Sequence, residues 1–160
     1  MADHFLPHRK TPLKRAAFAC LLAFAAGGCR SRDKGTTSPA AQPSFSGDIE
    51  PVLARYCASA DGCHGDHPTH SVSLDLRPSH AYAALVSVPA KTRAGAVRVV
   101  PREPERSFLL DKLTGTLAFG EGKPMPLDPA TGAPPERSPL PPAFVDQVLK
   151  GWIARGAPND

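Results

Sequence analysis

Two cysteines and a histidine lie close together in the chain, at Cys57, Cys63 and His64. Residues of these types suit three kinds of chemistry. Two thiols beside a histidine can form thioether bonds to a haem whose iron the histidine binds. The same thiols can form a disulfide, and together with His64, His67 and His70 they offer ligands for zinc or copper.

The spacing of the two cysteines bears on this choice. Five residues separate Cys57 from Cys63, whereas the usual haem attachment sequence has two residues between its cysteines. The five residues (ASADG) are small or turn-forming, so a loop directed outward from the thiols is sterically reasonable. The spacing matches no common zinc pattern. The chain also has no nucleophile motif, phosphate-binding loop or recognisable carboxylate pair, and we therefore predict that it is not an enzyme.

A helix that ends at Cys57 is predicted to position this segment. Ile49, Val52, Leu53 and Tyr56 recur at helical spacing and form one apolar face. Ser46 or Asp48 is expected to cap the helix at its start. Cys63 and His64 would then lie on the loop that follows the helix.

The remaining elements are also predicted to be helices and loops. Ser79 is expected to cap a short helix that runs to Leu85 or Val86, residues 97–101 are expected to be extended, and residues 103–113 are expected to be helical up to a stop at Gly115. Residues 115–139 form a long Gly/Pro-rich loop. The last helix is expected to open at Pro141-Pro142 and to end at Gly156, with an apolar stripe that runs from Phe144 to Ile153. We predict a small all-α domain of three to four short helices.

The first residues are predicted to deliver the domain to a membrane surface. Basic residues, an apolar run of about eleven residues and a small-residue end indicate a cleaved signal over residues 1–28, because the run is too short to span a bilayer. Small residues that end at Cys29 resemble the lipobox of bacterial lipoproteins, which implies lipidation of Cys29; an ordinary signal with Cys29 left free is the alternative. Residues 29–44 are expected to form a flexible tether, and residues 45–160 the domain.

Removal of the predicted signal changes the charge and the cysteine count. Lys+Arg falls from 19 to 15 and Asp+Glu from 15 to 14, so the mature chain carries a net charge of +1 and is not expected to bind nucleic acid. Cys20 leaves with the signal and Cys29 is the predicted lipid site. Cys57 and Cys63 are then the only two cysteines of the domain, and outside the cytoplasm such a pair is normally held in a disulfide or by a cofactor.

Several motifs in residues 45–160 resemble those of cytochrome-c-like lipoproteins of bacterial envelopes, a group within the small class I cytochromes c. The matching residues, besides the cysteine–histidine segment, are Asp48-Ile49-Glu50-Pro51-Val52-Leu53, Val99-Val100-Pro101 with Pro104, Ser107 and Leu109, Lys112-Leu113, Met125-Pro126, and Trp152-Ile153 with Gly156 and Ala157.

The resemblance implies one covalent haem c, with Cys57 and Cys63 as attachment points, His64 as proximal iron ligand and Met125 as distal ligand. It implies one-electron transfer to a redox partner protein, at an envelope membrane and facing the periplasm or exterior. His67, His70 and His80 are alternative distal ligands. A lipoprotein of the same fold with a Cys57–Cys63 disulfide and no haem, and a metal-binding envelope protein, remain as alternatives.

Overall fold

The computed structural model describes residues 41–58, 63–66 and 74–160. In these ranges the regular structure is helical and no strand forms, so the predicted all-α class is confirmed at this level. The short α-helices are α1 (Glu50–Tyr56), α2 (Ala81–Leu85), α3 (Phe108–Thr114) and α4 (Lys150–Ala154). Wider π-helical turns at Phe45–Ile49 and Phe144–Leu149 lead into α1 and α4, and a 3-10 turn at Pro104–Arg106 precedes α3.

The first helical segment starts earlier than the sequence suggested. Ser44 is its cap, with the side-chain oxygen accepting from the Gly47 N–H at 3.1 Å, so the prediction of Ser46 or Asp48 was wrong. Asp48 lies in the first turn of the helix, and its carboxylate accepts the Ser44 N–H at 2.8 Å. This reciprocal pair satisfies two amides that the start of a helix would otherwise leave unbonded.

The start of α2 also differs from the prediction. His80 is its cap residue, and Ser79 has a positive φ of 66°, which is incompatible with a serine cap. The Ser79 N–H instead donates to the Glu50 carboxylate at 2.7 Å. This bond joins the start of α2 to the start of α1 across a long stretch of sequence.

The predicted helix over residues 103–113 is interrupted at Ser107. This residue is extended (φ −88°, ψ 107°) and only 2 % exposed. Its hydroxyl accepts the Val100 N–H at 2.9 Å and donates to the Glu103 carbonyl at 3.0 Å. A buried serine that bonds to the backbone in this way competes with continuation of the helix. Helix α3 ends at Gly115 in the left-handed conformation, as predicted.

Isolated β-bridges confirm the first part of the extended segment predicted over residues 97–101, whereas Pro101 lies in a turn. Val99 pairs with Val86, and Val97 pairs with Pro89 and with Ser107. Within this segment, the Arg98 N–H donates to the Val88 carbonyl at 2.8 Å. The bridges therefore bring the end of α2 and the start of α3 together around Arg98.

The C-terminal helical segment begins at Phe144, three residues later than predicted. Ala143 has a positive φ of 66°, which is left-handed backbone, and Pro141 and Pro142 lie outside the helix. The predicted stop at Gly156 is confirmed, with φ of 107°.

Aromatic residues from three parts of the chain form the centre of the core. The Trp152 side chain is fully buried, and its ring centroid lies 5.5 Å from that of Phe45 and 6.5 Å from that of Tyr82. Its indole N–H donates to the Pro158 carbonyl at 2.9 Å, and the Tyr82 hydroxyl donates to the Ala157 carbonyl at 3.0 Å. Tertiary contacts thus fix the first and last helical segments against each other.

Several predictions concern residues that the structure does not describe. The signal over residues 1–28, the lipid site Cys29 and most of the tether lie outside the described residues, as do residues 59–62, His67 and His70. None of the helices in the described ranges is both long and apolar enough to cross a membrane.

Candidate functional site

A largely apolar cavity of about 610 Å³ lies beside the end of α1. This volume is within the range of about 300–1,000 Å³ that is usual for cofactor and small-molecule sites. Leu53 and Cys57 of the α1 region, Leu85 of α2 and Leu109 of α3 all contribute to its wall. The aromatic cluster around Trp152 does not line it. The four residues singled out from the sequence, Cys57, Cys63, His64 and Met125, all do.

Cys57 and Cys63 present free thiols in this structure. Cys57 caps the C-terminal end of α1, as predicted, and its N–H donates to the Leu53 carbonyl at 2.9 Å. Burial, with a smaller contribution from the neighbouring Cys63, raises the pKa of the Cys57 thiol to about 12. Cys57 is therefore a neutral thiol at physiological pH. Cys63 is half-buried.

His64 is held on both sides by backbone hydrogen bonds. Its N–H donates to the Cys57 carbonyl at 2.9 Å, and its carbonyl accepts the Leu76 N–H at 2.9 Å. The imidazole Nδ1 lies 3.0 Å from the Leu74 carbonyl oxygen. Because a carbonyl can only accept, Nδ1 must carry the proton, and the neutral ring then has its free lone pair on Nε2.

The surroundings of His64 also favour the neutral imidazole. Burial lowers its pKa most, the bond to Leu74 opposes this change, and the positive charges of Arg98 and Lys112 lower the pKa further. A neutral imidazole with a fixed tautomer is the form that binds a metal ion.

Met125 enters the cavity wall from the long loop that follows α3. Its N–H donates to the Lys112 carbonyl at 2.8 Å, and the next residue, Pro126, is buried. The loop over residues 115–139 is thus fastened to α3 at the position of the methionine. A thioether sulfur and an imidazole nitrogen, separated by about 60 residues in sequence, contribute to one cavity.

Basic side chains contribute to the wall of the cavity, a feature that the sequence reading missed. They are Lys91, Arg98, Lys112 and Lys123, beside a single carboxylate, Asp128. The Arg98 guanidinium donates to the Ala84 carbonyl at 2.6 Å, and burial lowers its pKa. The only local signal was one arginine inside an otherwise apolar extended segment, VRVV. The cavity is therefore suited to a largely apolar ligand that carries acidic groups.

The remaining histidine that the structure describes near this region is not part of the site. His80 is exposed at the start of α2, its Nδ1 lies 3.2 Å from the Pro78 carbonyl oxygen, and it does not line the cavity. This position outside the cavity does not support His80 as an alternative distal ligand. His67 and His70 lie outside the described residues. Within the described ranges, no three His, Cys, Asp or Glu side chains cluster as a metal site.

The residues around the cavity suit a covalently attached haem in their chemistry. Covalent attachment would need two thiols and an imidazole, and the wall supplies these together with a thioether, apolar side chains and basic groups. Comparisons of the chain with protein-family models, with curated proteins and with solved structures found no match.

Proposed function

We propose that this chain is a membrane-anchored one-electron carrier that binds one covalent haem c. In this proposal Cys57 and Cys63 attach the haem, and His64 and Met125 are its axial ligands. The observation that carries the proposal is that all four residues line one and the same largely apolar cavity of about 610 Å³. The four were singled out for their chemistry, and they come from two distant parts of the sequence.

The bond between His64 and Leu74 supports the assignment of the proximal ligand. Metal-bound histidines usually donate the second ring N–H to a carbonyl or carboxylate, which orients the ring and makes it a better ligand. His64 makes this kind of contact, at 3.0 Å from Nδ1 to the Leu74 oxygen.

The apolar cavity beside the two cysteines favours this proposal over the lipoprotein with a disulfide. A disulfide needs its two sulfurs at bonding distance, about 2.05 Å, and gives no reason for an apolar cavity beside it. Each thiol can instead add across a vinyl group, which forms one S–C bond, moves the thiol hydrogen to the adjacent carbon and requires no oxidant.

The chain's own residues would then set the redox properties. A haem supplies one-electron chemistry at its iron, and a His/Met ligand pair raises the reduction potential relative to other axial ligands. The apolar wall, which includes Leu53, Leu85 and Leu109, would lower the polarity around the haem and so further disfavour the more highly charged oxidised form. The positive charges of Arg98 and of the lysines in the wall would favour acidic groups at the edge of the ligand.

The proposal is tested by expression of the full chain with a c-type haem maturation system, followed by a haem-stained denaturing gel and intact mass. We expect stain and a mass increase of one haem. The Cys57→Ser/Cys63→Ser double variant should lose both. An unstained wild-type chain with a mass lower by two hydrogens would indicate the disulfide and refute the proposal.

Ligand variants test the two axial positions separately. His64→Ala should lose the low-spin haem spectrum, whereas His80→Ala should keep it, because His80 lies outside the cavity. Met125→Leu keeps a similar volume and should remove the weak sulfur-to-iron absorption at the red end of the spectrum. An unchanged spectrum in Met125→Leu would exclude this residue as a ligand.

Anchoring is a separate part of the proposal, and it rests on the sequence alone. Cys29→Ser should move the protein from the membrane fraction to the soluble fraction and remove the mass of the lipid. Cys20→Ser, within the predicted signal, is the matched control and should leave membrane association unchanged. Equal membrane association of both variants would contradict lipidation at Cys29.

A further inference from the structure

We propose that Lys112 is a positioning residue that clamps the Met125 loop against the cavity and so maintains the methionine as an iron ligand. This inference rests on the proposed function, since it concerns the distal ligand. Lys112 lies in α3, the helix just before the loop, and it lines the cavity.

Both the backbone and the side chain of Lys112 bind the loop. Its carbonyl accepts the Met125 N–H at 2.8 Å. Its Nζ donates to the Glu121 carbonyl at 2.8 Å and to the Lys123 carbonyl at 3.1 Å. Residues 121–125 are thus bound to one helical residue at both ends, and the two side-chain bonds are charge-assisted.

Gly122 lets the ammonium group approach the loop this closely. Its φ of +89° is left-handed, and a Cβ placed there would lie 2.9 Å from the Lys112 Nζ. Any other residue would strain the backbone and crowd the ammonium group. Gly122 therefore suits the loop to the position of the Lys112 ammonium group.

A second basic residue supports the same loop. The Arg93 guanidinium donates to both Glu121 carboxylate oxygens at 2.6 Å and forms an ion pair with Asp111, the neighbour of Lys112 in α3. The Glu121 carboxylate also accepts the Ala118 N–H at 2.9 Å. Residue 121 is therefore fixed before the chain reaches the segment that Lys112 holds.

The clamp matters because a thioether is a weak, uncharged ligand. Its bond to the haem iron would compete with water and with added ligands, and the outcome would depend on the fraction of molecules in which the loop is closed. Loss of the two charge-assisted bonds should favour the open loop by about tenfold or more. Exogenous imidazole should then replace Met125 more easily.

The test compares Lys112→Met, Lys112→Arg and the matched control Lys150→Met in the haem-loaded full chain. Lys150 is a partly exposed lysine of α4 whose ion pairs with Asp146 and Glu105 span 3.6 Å and 4.0 Å. We expect Lys112→Met to bind imidazole at least about tenfold more tightly and to lose most of the sulfur-to-iron absorption. Lys112→Arg, which can still donate to both carbonyls, should restore most of that absorption, and Lys150→Met should match the wild type.

Hydrogen exchange of peptides that cover residues 121–127 gives a readout that needs no haem. Exchange there should rise about tenfold in Lys112→Met and stay unchanged in Lys150→Met. If the wild-type chain carries no haem, the proposed function fails, and this exchange alone decides whether the clamp exists. Unchanged exchange in Lys112→Met overturns the clamp in either case.

A second variant covers the possibility that Lys112→Met does not fold. Gly122→Ala leaves the lysine in place, strains the left-handed backbone at residue 122 and brings a Cβ to 2.9 Å from the Lys112 Nζ. It should therefore raise exchange over residues 121–127 and weaken methionine ligation. Raised exchange over residues 121–127 with unchanged methionine ligation in Gly122→Ala would overturn the proposal.

Discussion

Replacement of Ser107 by alanine should destabilise the domain far more than its small size suggests. The residue is 2 % exposed and is the one polar residue among the described buried set. Its hydroxyl accepts the Val100 N–H at 2.9 Å and donates to the Glu103 carbonyl at 3.0 Å. Alanine removes both bonds: the Val100 N–H loses its partner, whereas the Glu103 carbonyl still accepts the Arg106 N–H at 3.1 Å.

The magnitude follows from the number of bonds and their burial. Each hydrogen bond contributes about 0.5–1.5 kcal/mol net, and a buried group left unbonded costs about 1–3 kcal/mol. We therefore expect a loss of about 2–4 kcal/mol in the free energy of unfolding. This is a large share of the roughly 5–15 kcal/mol that stabilises an ordinary domain.

Urea unfolding monitored by fluorescence measures this change directly. The chain has one tryptophan, and Trp152 is fully buried in the core, so its emission reports on folding. With a urea dependence of about 1–1.5 kcal/mol/M, the midpoint should fall by roughly 2 M.

Ser138→Ala is the matched control. Ser138 is exposed, and its hydroxyl accepts one N–H, that of Leu140, at 3.3 Å. Its replacement should change the free energy of unfolding by less than about 0.5 kcal/mol. If the two variants lose equal stability, or if Ser107→Ala loses less than about 1 kcal/mol, the assigned role of the Ser107 hydroxyl is wrong.

Two further predictions concern the loop and the core. Hydrogen bonds from the Arg93 guanidinium, and to a smaller extent from the Ala118 N–H, lower the pKa of Glu121 from 4.5 to about 2. The stabilising effect of this carboxylate is therefore present above pH 4.5 and is lost as the pH falls towards 2. Glu121→Gln should therefore be less stable than the wild type at pH 7, with the difference in urea midpoint shrinking at pH 3; a constant difference would contradict this. Trp152→Phe removes the hydrogen bond to the Pro158 carbonyl and part of the buried ring, and should lower the free energy of unfolding by about 1–3 kcal/mol, measured by urea unfolding followed by circular dichroism. An unchanged free energy of unfolding would show that the indole N–H contributes little.

Features with a short sequence period were predictable. The apolar face from Ile49 to Tyr56 indicated a helix that ends at Cys57, and the glycines at 115 and 156 marked helix ends, because helical spacing and left-handed glycine caps are local properties. The helix starts were predicted less well. Ser46 and Ser79 looked like helix caps, but the observed helix starts involve hydrogen bonds to the carboxylates of Asp48 and Glu50.

The same distinction between local and tertiary features applies to the candidate site. The sequence by itself determined that Cys57, Cys63 and His64 lie together, since adjacency in the chain imposes it, and it pointed to Met125 through a motif. Only the tertiary structure decided that Met125 lines the same cavity and that Arg98 and Lys112 contribute to its wall. These placements depend on contacts between residues far apart in the chain, such as Met125 with Lys112 and the bridges around Arg98, and no local pattern encodes them.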